Sequence, residues 1–378
     1  MTGSQSEGCG YETTERNFPL ALRVRCGVNS PMPAPTRRAF LAQSLAATAA
    51  LAATRAAAQP AGFRLAAFSA DVTVPAGHGM MGGAWLSKSV ADPLFAKGIV
   101  LTGGEKPVVL VSVDWCEIRN AAFDRWRDVL AEAAGTDRAR VLVSSTHVHD
   151  APVADLEAER ILKEHKCAGT VCDVDFHEVA VQRVAKALRD AIKSASPVTQ
   201  IGLGQARVEK IASNRRYLLP DGKVSYSRGS ATRDALASAA GEDTTDPMLK
   251  TLSFWNGNTP LAALSNYAVH PMSYYRTGDV SADFPGLARR RRQEDLPNVA
   301  QVYFSGCSGN VTAGKYNPGT RENRVVLAGR LYQAMAEAWR DTRKLPLEQM
   351  KFRSLPLLLE PRDAPAGFSV IGSEKLLI

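Results

Sequence analysis

The chain alternates between short apolar runs of strand character and longer amphipathic patterns with helical spacing. The apolar runs cover residues 63–68, 98–102, 108–113, 140–143, 198–203, 249–255, 261–269 and 299–304. The helical patterns cover residues 121–134, 176–194, 285–295 and 321–341. Strands that alternate with helices are typical of folds in which helices cover a sheet. The sequence therefore predicts the α/β class, as a layered domain with a substantial mixed β-sheet flanked by helices.

Several of the strand patterns end in polar side chains that suit chemistry. Asp114 ends one run, His147 and His149 end another, His270 ends a third, and Thr312 follows a fourth. Ligands of α/β sheets bind beyond the carboxyl ends of the strands, because the loops there converge on one crevice. These residues are therefore candidates for a single functional site.

The segment 146–150, THVHD, is the most informative of these strand ends. The chain has six histidines, and two of them lie here. Residues i and i+2 of an extended segment point to the same side, so His147 and His149 either face one site or form a hydrogen-bonded structural pair. His270 supplies a third imidazole. Three imidazoles leave the open coordination position that a hydrolytic zinc ion needs.

Other motifs are less specific, and each has two interpretations. The glycine-rich loop around His78 brings backbone close to a ligand or simply turns, and it lacks the Rossmann and P-loop spacings. The small-residue turn at 306–314 presents N–H groups to an oxyanion or is a tight loop. Arg215 holds a substrate oxygen or solvates a loop. His165 and His177 are expected at the surface.

Composition and charge limit the classes of function. A chain of 378 residues with a 45% hydrophobic share can bury a large core, in one domain or two. The net charge of +8 is a mild excess, part of it before residue 59, and does not indicate a nucleic-acid partner. Four consecutive arginines at 289–292 fall in a predicted helix, where a solvated face is favoured over a polyanion site.

The beginning of the chain has the pattern of an export signal. Residues 36–41, TRRAFL, form a twin-arginine pattern, and an alanine-rich stretch and small residues at 56–58 follow. The apolar stretch is too short for a membrane span. We therefore predict a signal peptide at 32–58, an upstream extension at 1–31 that is not native, and a periplasmic or secreted mature protein.

Six cysteines become four once the predicted signal peptide is removed. They are Cys116, Cys167, Cys172 and Cys307. Cys167 and Cys172 either form a local disulfide or remain thiols, and they lack the second matching pair of a structural zinc site.

Taken together, these segments resemble the neutral, non-lysosomal ceramidases, from about Phe63 to Arg340. The sequence THVH resembles the THTHSGP motif of that family, 266–271 resembles its NFAVHP segment, and 309–312 resembles its GDVSPN loop. Asn214-Arg215 falls where the family has Asn-Arg-Ser. Two further segments, 69–73 and 81–83, resemble its opening pattern. The His147 and His270 segments are the most specific parts of the resemblance.

The resemblance implies a chemistry and a role for each residue. Neutral ceramidases are zinc amidases that cleave the N-acyl bond of ceramide. By this resemblance His147 and His270 are Zn²⁺ ligands, and His149 polarises or protonates the scissile amide. Arg215 holds substrate. Thr312 replaces a loop serine that acts as nucleophile or as hydrogen-bond partner of the substrate, and we favour zinc-activated water as the nucleophile.

The chain departs from the family pattern at several points. His149 is followed by Asp150-Ala151-Pro152 in place of Ser-Gly-Pro, and the loop has Thr-Ala-Gly in place of Ser-Pro-Asn. We find no match to the later glutamate and tyrosine zinc ligands of the family. We therefore expect residues 59–378 to be a ceramidase-like catalytic domain that is truncated at its C-terminus.

The sequence thus leads to three hypotheses. The first is a zinc amidohydrolase that acts on ceramide or a related acyl amide and contacts a membrane surface to reach a lipid substrate. The second is a metal-dependent ester or phosphoester hydrolase that uses the same histidines. The third is a non-catalytic periplasmic protein with an incomplete metal site. The sequence does not define an oligomeric state.

Overall fold

The structure is a computed structural model that describes residues 62–355. The predicted extension at 1–31, the predicted signal peptide at 32–58 and the end of the chain after residue 355 lie outside the described residues. Among the described helices, none combines the length and the apolar character that crossing a membrane requires.

Helices and strands alternate along the described chain, as the sequence predicted. The helices are Asn120–Ala134 (α1), Leu156–Glu164 (α2), Val174–Ile192 (α3), Ala235–Ala239 (α4), Asp283–Asp295 (α5) and Arg321–Arg340 (α6), with 3-10 turns at Arg138–Arg140 and Gly314–Tyr316. The strands are Arg64–Asp71 (β1), Gly79–Met80 (β2), Trp85–Leu86 (β3), Ser89–Val90 (β4), Phe95–Thr102 (β5), Val108–Val113 (β6), Glu117–Arg119 (β7), Val141–Ser145 (β8), Val153–Asp155 (β9), Ser196–Pro197 (β10), Gln200–Arg207 (β11), Ser213–Asn214 (β12), Tyr217–Leu218 (β13), Val224–Ser225 (β14), Met248–Asn256 (β15), Thr259–Tyr267 (β16), Asp279–Val280 (β17), Ala300–Ser305 (β18), Val311–Thr312 (β19) and Arg343–Pro346 (β20).

Two five-stranded mixed sheets form the centre of the fold. The first has the order β10-β1-β5-β6-β8, and the second has the order β18-β16-β15-β11-β20. Each sheet has one parallel pair at its edge, β6 with β8 in the first and β16 with β18 in the second. Parallel neighbours need a crossover connection. Helix α1 lies in the crossover between β6 and β8, and α5 lies in the crossover between β16 and β18.

Three apolar clusters hold these elements in layers. The first cluster joins the first sheet to α1 and α3 and includes Trp126 and Val184. The second joins the second sheet to α5 and α6 and includes Phe284 and Leu331. The third lies between the two sheets, where Ile99 of β5 packs with residues of β15, β16 and β18. The order of layers is therefore helix, sheet, sheet, helix, and the α/β prediction is confirmed.

The sequence patterns missed two helices, α2 and α4. Both are short, at 9 and 5 residues. Each begins after an aspartate whose side chain accepts a hydrogen bond from a backbone N–H of the first turn, Asp155 from Ala158 and Asp234 from Ala237. An aspartate N-cap is a helix-start signal that the search for apolar periodicity does not detect.

The sequence placed Asp114 at a candidate site and the arginine run at 289–292 on a solvated face, and the structure differs on both. Arg289 is buried, and its Nη1 lies 2.8 Å from Oδ1 of Asp114, which is also buried. Arg292 is buried as well, whereas Arg290 and Arg291 are exposed. The solvated-face interpretation is therefore wrong for half of the run. A buried carboxylate needs a partner, and Asp114 serves this ion pair rather than an open site.

His177 is buried, although the sequence placed it at the surface, whereas His165 is exposed as expected. The ring of His177 packs near the indoles of Trp115 and Trp126, with ring centroids 6.2 and 6.4 Å away. Its Nε2 has no hydrogen-bond partner among the described residues. Burial lowers the pKa of His177 to about 4.

This burial predicts an acid sensitivity that a phenylalanine removes. The unfolded chain binds a proton at His177 below about pH 6.5, and the folded protein binds it only near pH 4, so the free energy of unfolding falls between these values. A shift of this size corresponds to about 3 kcal/mol. In urea melts of metal-free protein from pH 7 to pH 4, we expect His177→Phe to gain about this much relative to wild type.

The control for this prediction is His165→Phe, because the His165 side chain is exposed. The difference in free energy of unfolding between His165→Phe and wild type should be the same from pH 7 to pH 4. A stability difference between His177→Phe and wild type that stays constant from pH 7 to pH 4 would contradict the prediction, since altered packing alone does not depend on pH.

The described cysteines are unpaired. Cys167 and Cys307 are exposed, and Cys116 and Cys172 are buried. The thiol alternative for Cys167 and Cys172 therefore holds in this structure.

Candidate metal centre

The candidate site forms where the parallel strand pairs of the two sheets end. Strand β8 ends at Ser145, two residues before His147, and β16 ends at Tyr267, three residues before His270. The sheets are joined at this edge, because Oγ of Ser305, the last residue of β18, donates to the carbonyl of Thr146 over 2.6 Å. Segments from two different sheets thus deliver their histidines to one place.

His147 adopts an uncommon backbone conformation, with φ at +65°. Such left-handed values are rare for residues other than glycine and cluster at functional sites. The sequence suggested that His147 and His149 share one extended segment. This expectation is wrong, because the strand ends before His147. The chain turns at His147, and its backbone N–H donates to the carbonyl of Trp115 over 3.1 Å.

The three imidazoles nevertheless come together. The ring centroid of His147 lies 5.2 Å from that of His149 and 4.6 Å from that of His270. The centroids of His149 and His270 are 4.9 Å apart. The two Nε2 atoms of His149 and His270 are 2.9 Å apart. Together the three rings form a group able to hold a metal ion.

The second ring nitrogens distinguish the three histidines. Nδ1 of His147 donates to the carbonyl of Cys116 over 2.9 Å, and Nδ1 of His270 contacts the carbonyl of Ser308 at 3.4 Å. Nδ1 of His149 is buried without a partner among the described residues. A carbonyl on Nδ1 fixes the tautomer and leaves the Nε2 lone pair free, which is the usual arrangement of a histidine that binds a metal.

Burial keeps these imidazoles uncharged near neutral pH. It lowers the pKa of His149 to about 3, with further lowering from His270, His147 and Arg215. It lowers the pKa of His270 to about 4, and it also lowers the pKa of His147. Neutral imidazoles have free lone pairs, and a metal ion binds only those. The cluster can therefore bind metal below the pH at which an exposed histidine is protonated.

The donor set fits a zinc ion. Four-coordinate zinc with nitrogen bonds of about 2.0–2.1 Å places its ligand atoms about 3.3 Å apart. The ligand nitrogens of the three imidazoles all lie within 4.8 Å of one another, so His147 and His270 are close enough to share one ion. The imidazoles line a cavity of about 410 Å³, which gives a small substrate access. A larger groove of about 880 Å³ opens between the sheets near Leu142 and Phe304, and no histidine lines it.

Two candidate site residues from the sequence, Thr312 and Arg215, lie beside this cluster. The backbone of Thr312 forms a bridge with that of His270, and the Oγ1 of Thr312 is buried without a partner among residues 62–355. Arg215 donates its backbone N–H to the carbonyl of Asn310 over 2.8 Å, which fixes it to the same loop. Its positive charge contributes to the lowered pKa of each of the three histidines.

The sequence did not identify two neighbouring residues, Cys116 and Glu117, as site residues. With His147 they form a second group able to hold a metal ion, and Oε1 of Glu117 lies 3.8 Å from Nδ1 of His147. Burial raises the pKa of the Cys116 thiol to about 12, so it is a weak ligand at neutral pH. The three-imidazole group is the better candidate. The signal for Glu117 was its place four residues after the end of β6, whose parallel partner β8 precedes His147.

His78 lies outside the cluster. It is buried in its glycine-rich loop, where Nδ1 donates to the carbonyl of Gly79 over 2.7 Å and Nε2 accepts from the backbone of Asp173 over 3.3 Å. His78 therefore has a structural place, whereas Met81 and Gly82 of the same loop line the histidine cavity.

The fold is similar to that of ceramidases of known structure. No protein-family model matches the sequence, and no curated protein does. Similar solved structures include a neutral ceramidase from Pseudomonas aeruginosa and a ceramidase complexed with C2. Each has a TM-score of 0.56 and 19% sequence identity, over 74% of this chain and 44% of the matched chain. The chain thus spans less than half the length of these ceramidases, and the similarity shows the fold.

Proposed function

We propose that this protein is a zinc-dependent amidohydrolase that cleaves an N-acyl amide, with ceramide or a related acyl amide as substrate. One observation carries the proposal. Three uncharged imidazoles from two sheets converge on one cavity, and two of them, His147 and His270, have their Nδ1 atoms directed at backbone carbonyls. The ceramidase-like fold and the matching motif order support the same reaction class.

In this proposal His147 and His270 hold the metal ion. A bound zinc ion supplies Lewis acidity, which polarises a carbonyl oxygen and lowers the pKa of water. The carbonyls of Cys116 and Ser308 keep both rings in the required tautomer. Outer partners of metal-binding histidines typically contribute about 10- to 100-fold to metal affinity. We therefore count these two carbonyls as part of the site.

His149 faces the reacting amide in this proposal. Its buried Nδ1 has no partner among the described residues, whereas the two neighbouring rings contact backbone carbonyls, so we assign His149 rather than its neighbours to the substrate. At neutral pH the ring offers one N–H donor and one acceptor. The neutral ring can take a proton from the attacking water and pass it to the departing amine, which leaves the ring neutral again.

Arg215 and Thr312 hold the substrate in this proposal. The positive charge of Arg215 lowers the pKa of all three histidines, which supports a role in orienting a substrate oxygen beside them. The buried hydroxyl of Thr312 can donate to a second oxygen. No base is identifiable beside Thr312 among the described residues, which favours water over the threonine as nucleophile.

A substrate panel with a chelator tests the proposed reaction. We expect the protein to hydrolyse a fluorogenic N-acyl amide or ceramide, to lose this activity in a strong chelator, and to regain it with Zn²⁺. Parallel assays with an ester and a phosphoester test the alternative hydrolase. Faster turnover of either would replace the amidase assignment, and amide hydrolysis that persists in chelator would exclude the zinc mechanism.

A further inference from the structure

A buried ion cluster lies directly behind the histidine cavity. Its members are Asp150, Asp283 and Arg324, whose side chains are 0, 0 and 5% exposed. The Nη2 atom of Arg324 lies 3.3 Å from Oδ2 of Asp150, and its Nε lies 3.5 Å from Oδ1 of Asp283. Burying charges is costly unless they are paired and hydrogen-bonded, so these three side chains have little freedom to move.

The cluster fixes the segment that carries His149. Asp150 is the next residue, and its Oδ1 accepts from the backbone N–H of Arg276 over 3.2 Å while its Oδ2 accepts from Arg324. Its carbonyl accepts from the backbone N–H of Ser281 over 3.0 Å. The aspartate that departs from the Ser-Gly-Pro pattern of ceramidases therefore has a structural partner in this chain.

The same guanidinium fixes the segment that carries His270. Nε of Arg324 donates to Oγ of Ser273 over 2.9 Å, and Nη2 donates to the carbonyl of Tyr274 over 2.7 Å. The guanidinium also lies 3.9 Å from the centre of the Tyr274 ring. Ser273 donates its own N–H to Oδ2 of Asp283 over 3.0 Å, which ties this segment to the cluster a second time.

One side chain therefore connects the residues that follow two of the three imidazoles. His149 comes from the first sheet and His270 from the second, and their Nε2 atoms lie 2.9 Å apart, so the ring assigned to the substrate and a ring assigned to the metal meet at one point. Arg324 belongs to α6, which packs on the second sheet. The planar guanidinium of an arginine directs its donors in fixed directions, whereas the donors of a lysine ammonium group rotate about one compact charge.

We propose that Arg324 is a positioning residue of the metal centre, which holds the segment of His270 in place for metal binding and the segment of His149 in place for catalysis. The inference rests on the proposed function, because it assigns Arg324 a task at the same site. It goes further by placing the control of that site in a buried arginine about which the sequence motifs give no information.

Zinc titration of Arg324→Gln against a matched variant tests the inference. Arg292→Gln is the match, because Arg292 is also a buried arginine of the α5/α6 layer, ion-paired with Asp295 over 2.6 Å and close to the Tyr332 ring. Both variants should lower the free energy of unfolding. We expect only Arg324→Gln to weaken zinc affinity, by about 10- to 100-fold.

A second variant and a metal-free measurement keep the test decisive. Arg324→Lys retains the charge but not the planar guanidinium, so it should bind zinc more tightly than Arg324→Gln and less tightly than wild type. In NMR spectra of metal-free protein, the ring signals of His149 and His270 should shift in Arg324→Lys and stay in place in Arg292→Gln.

Each outcome has a distinct meaning. Zinc affinity that is equal in wild type, Arg324→Gln and Arg324→Lys, with unshifted histidine signals, would overturn the positioning role and leave the proposed function intact. Equal losses of affinity in Arg324→Gln and Arg292→Gln would reduce the effect to general destabilisation and overturn the inference. A wild-type protein without zinc affinity would overturn the proposed function and the inference together.

Discussion

Replacing either His147 or His270 with alanine should abolish zinc binding and hydrolysis together. Each change removes one of the two imidazoles whose Nδ1 is directed at a backbone carbonyl. Loss of an outer partner alone typically costs about 10- to 100-fold in affinity, so loss of a ligand should cost more than about 100-fold. Titration of the metal-free variants with Zn²⁺ measures the effect on binding, and amide hydrolysis measures the effect on activity.

The control for both variants is His165→Ala, which removes an exposed imidazole that does not line the cavity. It should bind zinc as wild type does. Wild-type zinc affinity in His147→Ala or in His270→Ala would show that the altered residue is not a ligand and would contradict the assignment.

Replacing His149 with alanine should separate binding from catalysis. The ring of His149 lacks the backbone partner that its two neighbours have, so we assign it to the substrate rather than to the metal. General acid–base groups contribute about 100- to 10,000-fold to a rate. We therefore expect His149→Ala to keep most of its zinc affinity while kcat for amide hydrolysis falls by about this factor.

His149→Asn complements that variant, because an asparagine can still donate a hydrogen bond but cannot transfer a proton at neutral pH. If His149 acts by proton transfer, both variants should be equally slow. Recovery of activity in the asparagine variant would instead assign it to polarisation of the amide. Loss of zinc in both variants would make His149 a third ligand and contradict the division of roles.

The sequence predicted the strand ends of the site for a clear physical reason. The apolar runs before His147 and His270 become strands β8 and β16, and polar residues after a buried strand emerge at the sheet edge. Which strands would pair was not predictable from these runs. The sequence indicated one substantial sheet, and the structure has two that face each other across a third apolar cluster.

The details that the sequence could not provide depend on contacts between distant segments. The positive φ of His147 is set by its hydrogen bonds to residues 115 and 116, and no local pattern predicts such a turn. Burial of His177 and Arg289 depends on indoles and a carboxylate that lie far away in sequence. Helical periodicity describes which residues share a face, but it does not show which charged residues will find a buried partner.

Asp150 illustrates the same limit from the opposite direction. In the sequence it is only a departure from the ceramidase motif. In the structure it is a buried acceptor for Arg324, 174 residues away along the chain. Motif comparison treats such a position as degenerate, whereas the geometry shows a replacement with its own partner.

We propose that His147 and His270 hold a zinc ion at a hydrolytic site. The most direct test is a calorimetric titration of metal-free wild-type protein with Zn²⁺, run beside His147→Ala. We expect one tight equivalent of zinc for wild type and none for the variant. Wild-type protein that binds no zinc, or a variant that binds it as tightly, would contradict this assignment.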